Sequence, residues 1–309
     1  MKYAIISDIH GNMAALSAVL SDAKSQGVDM FLILGDYGTA FPWVNEVAET
    51  IRSLDSCLAI RGNHEEYMIE LSGQNQSSWV HEQLKGVYWN YLTLTEENRE
   101  YLMSLPKTAK VSNDGEEIHL AHDFDLIFRV PKIELFQSVS FRELMIKTPF
   151  SHEEYLRLGR EALLSRSDVI SDIAALPKGV YLFGHNHLQF YMEYDGRLFV
   201  NPGSCGSPCD FDPRASYTIL ERLENRWKVF EQRLEYDIAA TSEGLLNSNL
   251  ALEAPVWSSL NEIGLRTGKN YVGAFIEHLM QSGRKFGSTQ PLSNSIWDIA
   301  VKTWSIDGN

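Results

Sequence analysis

The chain has 309 residues, 44% of them hydrophobic, and a formal net charge of -14. This length allows one large α/β domain with additions, or two small domains. The acidity argues against non-specific binding to nucleic acid or to an anionic membrane, because both are polyanions. The sequence contains no run of about 18 apolar residues, so no membrane span is expected.

The first residues and the cysteines indicate the compartment. The opening MKYAIISDIHGN has too short an apolar run for a secretory signal and lacks a cleavage pattern. The chain has three cysteines, an odd number. A reducing, cytoplasmic location is the simplest interpretation of these two features.

Apolar runs and helical patterns alternate at the start of the chain. Three runs predict buried strands, at 3–7, 30–34 and 57–60. Between them, apolar residues recur at helical spacing over 13–23 and again over 43–54. This β-α-β-α-β order predicts strands that are buried on both faces and joined by helices.

The rest of the chain passes from helices to strands and back to helices. The pattern is helical over 65–105 and, with many charges, over 132–175. Strands are predicted at 117–121 and 180–183, followed by a hairpin around Asp195-Gly196 and by the strands SYTILE and WKVFEQRLEY. The expected fold class is therefore an α/β, two-sheet sandwich. The tail, which mixes amphipathic helix with Gly and Ser, would form a lid, a dimer arm or a small packed subdomain.

Residue types that bind metals lie just past the ends of five predicted strands. They are Asp8 and His10, Asp36, Asn63 with His64, His122, and His185 with His187. In open α/β sheets ligands bind beyond the carboxyl ends of the strands, so these side chains are expected to meet in one crevice. Neighbouring glycines would permit the sharp turns that such a crevice needs.

The chemistry of this set predicts two metal ions. Without His64 it comprises two carboxylates, one amide and four imidazoles, and the lack of thiolate argues against a structural zinc site. Oxygen and imidazole ligands suit Mn²⁺, Fe or Zn²⁺ better than Mg²⁺ or Ca²⁺. Seven ligands are too many for one tetrahedral ion, but they suit two ions that share a carboxylate. Such pairs, roughly 3.5–4 Å apart, commonly serve phosphoester hydrolysis.

The same residues resemble a known family. D-x-H at 8–10, G-D at 35–36, G-N-H-E at 62–65, His122 and G-H-N-H at 184–187 are similar to the motifs of the calcineurin-like metallophosphoesterase superfamily. The segment beginning N-P-G-S at 201–204 further resembles its compact prokaryotic phosphodiesterase branch. The resemblance implies a metallophosphoesterase domain over 1–238. Helical cap insertions are then expected at about 65–105 and 124–176, and a helical C-terminal extension over 239–309.

The resemblance also implies a role for each residue. Asp8, His10 and His187 would hold the first metal, Asp36 would bridge, and Asn63, His122 and His185 would hold the second. His64 would be catalytic, as a proton donor to the leaving group or a stabiliser of charge there. The cofactors expected are two divalent transition-metal ions, Mn²⁺ before Fe or Zn²⁺. A hydroxide bridging them would attack the phosphorus of a small phosphodiester, nucleotide or phosphorylated metabolite.

Some residues admit two interpretations. Arg61 would bind substrate phosphate or, equally, form a salt bridge at the end of the sheet. His119 competes with His122, but strand alternation puts the two on opposite faces, and His122 lies at the strand end. Cys205 and Cys209 are expected to be partly buried thiols rather than a metal site or a disulfide.

Other functions remain as alternatives. Arg61-Gly-Asn-His-Glu also occurs in serine/threonine-type protein phosphatases, although the N-P-G-S segment argues against that branch. A non-catalytic binding scaffold with a vestigial metal site is the rival from another class. The acidic charge weakens a nuclease function. The partner expected is a small phosphorylated substrate, without membrane or nucleic acid, and the C-terminal extension is a candidate for a homo-oligomer contact.

Overall fold

The computed structural model describes residues 1–113, 115–123, 153, 154, 157, 161, 165, 167–224, 226–285 and 293–305. Its strands form two sheets of five, in the orders β10-β9-β1-β2-β3 and β4-β5-β6-β8-β7. The two-sheet α/β sandwich predicted from the sequence is confirmed.

The first sheet is built from the alternating strands and helices at the start of the chain. Its elements are β1 (Lys2–Ile6), α1 (Met13–Ser25), β2 (Met30–Ile33), α2 (Val44–Arg52), β3 (Cys57–Ala59), β9 (Ala215–Leu223) and β10 (Arg226–Leu234). β1, β2 and β3 are parallel, and β9 and β10 extend the sheet through antiparallel pairings. The carboxyl ends of the parallel strands therefore meet at one edge.

The second sheet repeats this arrangement with later strands. Its elements are β4 (Thr108–Asn113), β5 (Glu116–Ala121), β6 (Gly179–Leu182), β7 (Gln189–Tyr194) and β8 (Arg197–Pro202). β5, β6 and β8 are parallel, and the edge strands β4 and β7 are antiparallel to their neighbours. No strand was predicted at β4, because polar residues occupy alternate positions in it. Of its side chains, those of Ala109 and Val111 pack against the core.

Apolar side chains hold the sheets together. Ile5 and Leu32 of the first sheet pack with Leu120, Leu182 and Val200 of the second. Each such side chain, fully buried, contributes roughly 1.5–3 kcal/mol relative to an exposed one. Because the sheets are fixed face to face, the loops that follow their parallel strands are held close to one another.

Three helices and two 3-10 turns follow β3, in about the range 65–105 for which a first cap insertion is predicted. They are α3 (Asn63–Ser72), α4 (Lys85–Thr93) and α5 (Glu96–Ser104), with 3-10 turns at Gln76–Ser78 and Glu82–Leu84. Their apolar residues join the cluster formed by α1, α2 and the first sheet. Most of the second predicted insertion, 124–176, lies outside the described residues, apart from α6 (Ser167–Ala175).

The C-terminal region is helical and packed. It comprises α7 (Ile238–Leu246), α8 (Asn249–Glu253), α9 (Pro255–Thr267), α10 (Tyr271–Lys285) and α11 (Asn294–Thr303). Phe275 and Trp297 belong to a separate apolar cluster within it. Trp257 Nε1 donates to the carbonyl of Gln83 at 3.0 Å, which ties the region to the 3-10 turn Glu82–Leu84. In the described part of the chain, no helix combines the length and apolar character needed to cross a bilayer.

Candidate metal centre

The structure brings all seven predicted metal ligands together at the carboxyl ends of the parallel strands. Asp8 and His10 follow β1, Asp36 follows β2, Asn63 begins α3 after β3, His122 follows β5, and His185 and His187 follow β6. Both sheets thus contribute to one site, as the strand-end pattern predicted.

Five of these seven residues have left-handed backbone conformations. The φ angles are 53° at Asp8, 54° at His10, 57° at Asp36, 68° at His185 and 59° at His187. Positive φ is uncommon in residues other than glycine and costs of order 1–3 kcal/mol each. The surrounding structure must compensate this strain, and its concentration at one place marks a functional site.

Asp8, His10 and His187 form the first cluster. His10 Nδ1 donates to the carbonyl of Gly38 at 3.1 Å, and His187 Nδ1 donates to that of Ser207 at 2.6 Å. Both Nε2 atoms therefore present lone pairs inward, yet they lie only 3.0 Å apart. Asp8 Oδ1 is 3.4 Å from His187 Nε2. A proton or a metal ion must lie between these atoms, because lone pairs that face each other repel.

Asn63, His122 and His185 form the second cluster. His122 Nδ1 donates to the carbonyl of Leu34 at 2.7 Å, which again turns Nε2 inward. Asn63 Oδ1 lies 3.1 Å from His122 Nε2 and 2.8 Å from His185 Nδ1. One amide oxygen and two imidazole nitrogens thus converge, which is a suitable ligand set for a transition-metal ion.

Asp36 lies between the clusters. Its Oδ2 is 3.3 Å from His122 Nε2 and 3.8 Å from His10 Nε2. Asp8 Oδ1 is likewise 3.9 Å from both His10 and His122 Nε2 atoms. Both carboxylates therefore face both clusters, so the arrangement fits two cations that share a carboxylate ligand.

The charges of this site shift the pKa values of its groups. Burial alone would raise the pKa of Asp8, but His187 and His122 outweigh it and hold the pKa at about 2. Burial also opposes the charged form of His122, but Asp36 and Asp8 raise the pKa of this imidazole to about 10. Burial and the neighbouring His187 lower the pKa of His10 to about 3. The aspartates thus keep their negative charge and attract protons or metal ions to the histidines.

His64 lies at the edge of the centre. Its Nε2 is 3.7 Å from Asp36 Oδ2, and its side chain is 23% exposed. Its ring meets that of His10 edge-on, with the centroids 5.0 Å apart. Burial lowers the pKa of His64 below its ordinary value. This imidazole therefore combines contact with the centre and access to solvent.

Glu65 supports the centre, although the sequence analysis gave it no role. Its buried carboxylate accepts hydrogen bonds from the backbone N–H groups of Asp36, Tyr37 and Gly62, at 3.0, 3.0 and 2.8 Å. It thereby joins the loops after β2 and β3. Burial raises the pKa of Glu65 to about 7. The signal was its place in G-N-H-E, at the third position of a helix, where a carboxylate caps backbone N–H groups.

The N-P-G-S segment at 201–204 supports the loops that follow β1 and β6. Asn201 Nδ2 donates to the carbonyl of Gly184 at 2.9 Å and to Asn186 Oδ1 at 2.8 Å. Ser204 Oγ donates to the carbonyl of Asp8 at 2.7 Å. These bonds fix the turns after β1 and β6 that carry the predicted ligands. They give the N-P-G-S segment a structural role.

Two glycines are required where these loops approach each other. A Cβ at Gly184 would lie 1.9 Å from Ser7 Oγ, and one at Gly62 would lie 2.2 Å from Asp36 Oδ1. Neither position has room for a side chain. The contact between the loops after β1 and β6 thus depends on the absence of a Cβ.

The structure places the remaining candidates outside the two clusters. The Arg61 guanidinium binds Glu66 and donates from one of its terminal nitrogens to the carbonyl of Leu105 at 2.6 Å, which favours the salt-bridge interpretation over phosphate binding. His119 stacks on Tyr181, with the centroids 4.7 Å apart, and takes no part in either cluster.

The cysteines are free thiols, as expected. Cys205 is buried, and Cys209 is partly buried with its Sγ 3.7 Å from His187 Nδ1. Burial raises the pKa of Cys205 far above its ordinary value. A neutral thiol is a poor metal ligand, so the oxygen and imidazole atoms remain the better donors.

Comparisons with known proteins agree with this geometry. An uncharacterized protein of Methanocaldococcus jannaschii is 29% identical over 273 residues, covering 82% of this chain and 94% of the relative. The crystal structure of a metallophosphoesterase from Sphaerobacter thermophilus is 27% identical with a TM-score of 0.60, covering 87% of this chain and 100% of that one. A hypothetical protein of Pyrococcus horikoshii shares the fold at 19% identity and a TM-score of 0.56, covering 86% and 98%.

The family comparison covers most of the chain. Residues 1–225 match the family model described as the calcineurin-like phosphoesterase superfamily domain. This range includes both sheets apart from β10, which begins at Arg226, and every residue of the two clusters. The family model and the metallophosphoesterase neighbour indicate a metal-dependent phosphoester hydrolase, and the chain therefore belongs to the calcineurin-like phosphoesterase superfamily.

Proposed function

We propose that this protein hydrolyses the phosphoester bond of a small phosphodiester, nucleotide or phosphorylated metabolite at a centre of two metal ions. The observation that carries the proposal is the pair of facing Nε2 atoms of His10 and His187, 3.0 Å apart with both Nδ1 atoms bound to carbonyls. The second cluster, which surrounds Asn63 Oδ1, supports a second ion.

The chain's own residues would hold and orient the reactants. Asp8, His10 and His187 would hold one ion, Asn63, His122 and His185 the other, and Asp36 would touch both. When bound, the two ions would supply Lewis acidity at the phosphoryl oxygens and a nucleophilic water at neutral pH. Mn²⁺ is the first expectation for such ligands, with Fe or Zn²⁺ as alternatives.

His64 would move the proton. Its partial exposure, 23%, and its distance of 3.7 Å from Asp36 support a position beside the leaving group of a bound phosphoester. Burial lowers the pKa of His64, but an anionic phosphoester beside the ring acts in the opposite direction. The protonated imidazole would then donate to the leaving oxygen or stabilise charge on it.

The proposal assumes a cytoplasmic protein. Its three cysteines are free, and a reducing compartment would keep them so. The domain boundary near residue 238 and a homo-oligomer contact through the C-terminal extension stay predictions.

Hydrolysis assays with Mn²⁺ test the proposal, using 4-nitrophenyl phosphate and bis(4-nitrophenyl) phosphate. Asp36→Asn should lose metal and activity together. His64→Ala should retain metal and lose roughly 10²–10⁴-fold in kcat, as expected for a lost proton donor. His119→Ala is the matched control, because this histidine lies on Tyr181 and outside the clusters.

Two results would contradict the proposal. A wild type that is native, binds no metal and cleaves neither ester would favour the scaffold alternative. Cleavage of a phosphopeptide in strong preference to both small esters would favour the protein phosphatase alternative.

A further inference from the structure

The C-terminal helices pack into the apolar cluster beneath the first sheet. Leu245 of α7, Leu250 of α8 and Leu265 of α9 are buried in the cluster that also contains residues of α1, α2 and one face of that sheet. These buried side chains fix the helices in place. The helices can therefore support the loops that they contact.

One of these loops carries the hydrogen-bond acceptor of His187. His187 Nδ1 donates to the carbonyl of Ser207 at 2.6 Å. Further along the same loop, Phe211 N donates to the carbonyl of Gly268, at the end of α9, at 2.8 Å. The φ angle of Phe211 is 68°, a strained value for a bulky residue. The bond to Gly268 thus helps to hold a strained turn.

Gly268 has no room for a side chain at this contact. A Cβ there would lie 2.6 Å from Asp212 N and 2.8 Å from the carbonyl carbon of Phe211. Both are backbone atoms, which cannot rotate away as the end of a side chain can. An added methyl group would therefore displace the loop that carries Ser207.

Another contact reaches the loop that carries the acceptor of His10. His10 Nδ1 donates to the carbonyl of Gly38 at 3.1 Å, and Phe41 N donates to the carbonyl of His10 at 2.8 Å. This loop continues to Trp43, whose ring packs against Gly244 of α7: a Cβ there would lie 2.7 Å from Trp43 Cζ2. The C-terminal helices thus contact both loops that orient the imidazoles of the first cluster.

We propose that the C-terminal helices position the first cluster, by holding the two loops whose carbonyls orient His10 and His187. The inference rests on the proposed two-metal function. It makes Gly268 a positioning residue, which acts on a metal ligand through the loop. It also restricts the effect to one ion, because the acceptor of His122 is the carbonyl of Leu34, directly after the buried strand β2 rather than in either loop.

Calorimetric titration of the full chain with Mn²⁺ tests the inference. The wild type should bind two ions. Gly268→Ala should bind one of them at least roughly tenfold more weakly, because the groups that orient a metal ligand contribute about 10–100-fold in affinity. Excess Mn²⁺ should restore the hydrolytic rate. Gly27→Ala is the matched control: Gly27 also follows a helix with a positive φ, 68°, but an added Cβ would meet nothing within 4 Å. It should bind both ions as the wild type does.

Variants that keep one cluster identify the ion that is affected. In Asn63→Ala, which keeps the first cluster, Gly268→Ala should weaken the remaining ion. In His187→Ala, which keeps the second cluster, Gly268→Ala should change nothing. Gly244→Ala should give the same pattern through Trp43, and it replaces Gly268→Ala if that variant does not fold.

Three results would overturn the inference. Wild-type affinity for both ions in the folded glycine variants overturns it alone. Equal weakening of the ion in both single-cluster backgrounds also overturns it alone, since that indicates general damage to the fold. A wild type that binds fewer than two ions overturns the inference and the proposed function together.

Discussion

Glu65 joins the two loops that carry Asp36 and Asn63. Each oxygen of its carboxylate is used, Oε1 by Tyr37 N and Oε2 by the N–H groups of Asp36 and Gly62. A glutamine would place an NH₂ group against at least one of these N–H donors. The position therefore requires a carboxylate and not only a polar side chain of the same size.

Glu65→Gln should consequently destabilise the protein. We expect a loss of about 1–3 kcal/mol in the free energy of unfolding, the usual cost of a buried donor without a partner. Urea denaturation measures it. Glu66→Gln is the control, because Glu66 forms partly exposed ion pairs with Arg61 and Lys107 and should cost less than about 1 kcal/mol. Equal losses in the two variants would contradict the role given to Glu65.

The raised pKa values of two histidines predict that metal binding depends on pH. The pKa of His122 is raised from 6.5 to about 10 by Asp36 and Asp8 against the effect of burial, and that of His187 is raised in the same direction by Asp8. These shifts favour the protonated form of both imidazoles, and a metal ion must compete with those protons. Mn²⁺ affinity should rise steadily from roughly pH 6 to pH 8. Calorimetry in buffers of different ionisation enthalpy should detect proton release; no release would contradict these shifts.

At the scale of elements, the site depends on turns that follow parallel strands. Gly184 after β6 packs against Ser7 and Asp8 after β1, and an added Cβ would lie 1.9 Å from Ser7 Oγ. Gly184→Ala should therefore displace the turn that carries His185 and His187, and weaken Mn²⁺ binding at least tenfold. Gly73→Ala, whose Cβ would meet nothing closer than 3.8 Å, should bind Mn²⁺ as the wild type does. Unchanged Mn²⁺ affinity in Gly184→Ala would contradict this dependence.

The burial of each strand also explains whether it could be predicted from the sequence. Continuous apolar runs predicted β1, β2 and β6, because strands buried on both faces have no polar alternation. β4 was missed because it is an edge strand with polar residues at alternate positions. Strand alternation separated His122 from His119 correctly.

Hydrogen-bond partners that lie far apart in the sequence could not be predicted in the same way. The acceptors of His10 and His187 are backbone carbonyls of Gly38 and Ser207, and no residue type identifies a carbonyl acceptor in a sequence. The hydrogen bonds of Glu65 with the N–H groups of Asp36 and Tyr37 were hidden for the same reason. Motifs therefore identified the candidate ligands, whereas the atoms that orient them required the fold.

At the scale of the whole molecule, metal binding at this site should increase stability. Two buried aspartates, one asparagine and four histidines come from five loops and both sheets, so ions that bind them would link the two sheets of the sandwich. A ligand at 100 times its dissociation constant stabilises a protein by about 2.7 kcal/mol per site. Removal of the ions should therefore lower the unfolding temperature.

Chelation measures this coupling. Excess EDTA should lower the Tm of the Mn²⁺-loaded wild type by several degrees, as expected for a loss of a few kcal/mol in a chain of this size. Asp36→Asn should show a much smaller shift, because it should bind the ions weakly. An equal response of both proteins to EDTA would mean that the ions that matter for stability bind elsewhere.

Anomalous diffraction from crystals soaked in Mn²⁺ would show whether two metal ions lie at the carboxyl ends of the parallel strands. Two peaks roughly 3.5–4 Å apart are expected. One should lie among Asp8, His10 and His187, and the other among Asn63, His122 and His185, with Asp36 beside both. A single peak, or peaks away from these residues, would contradict a two-metal centre.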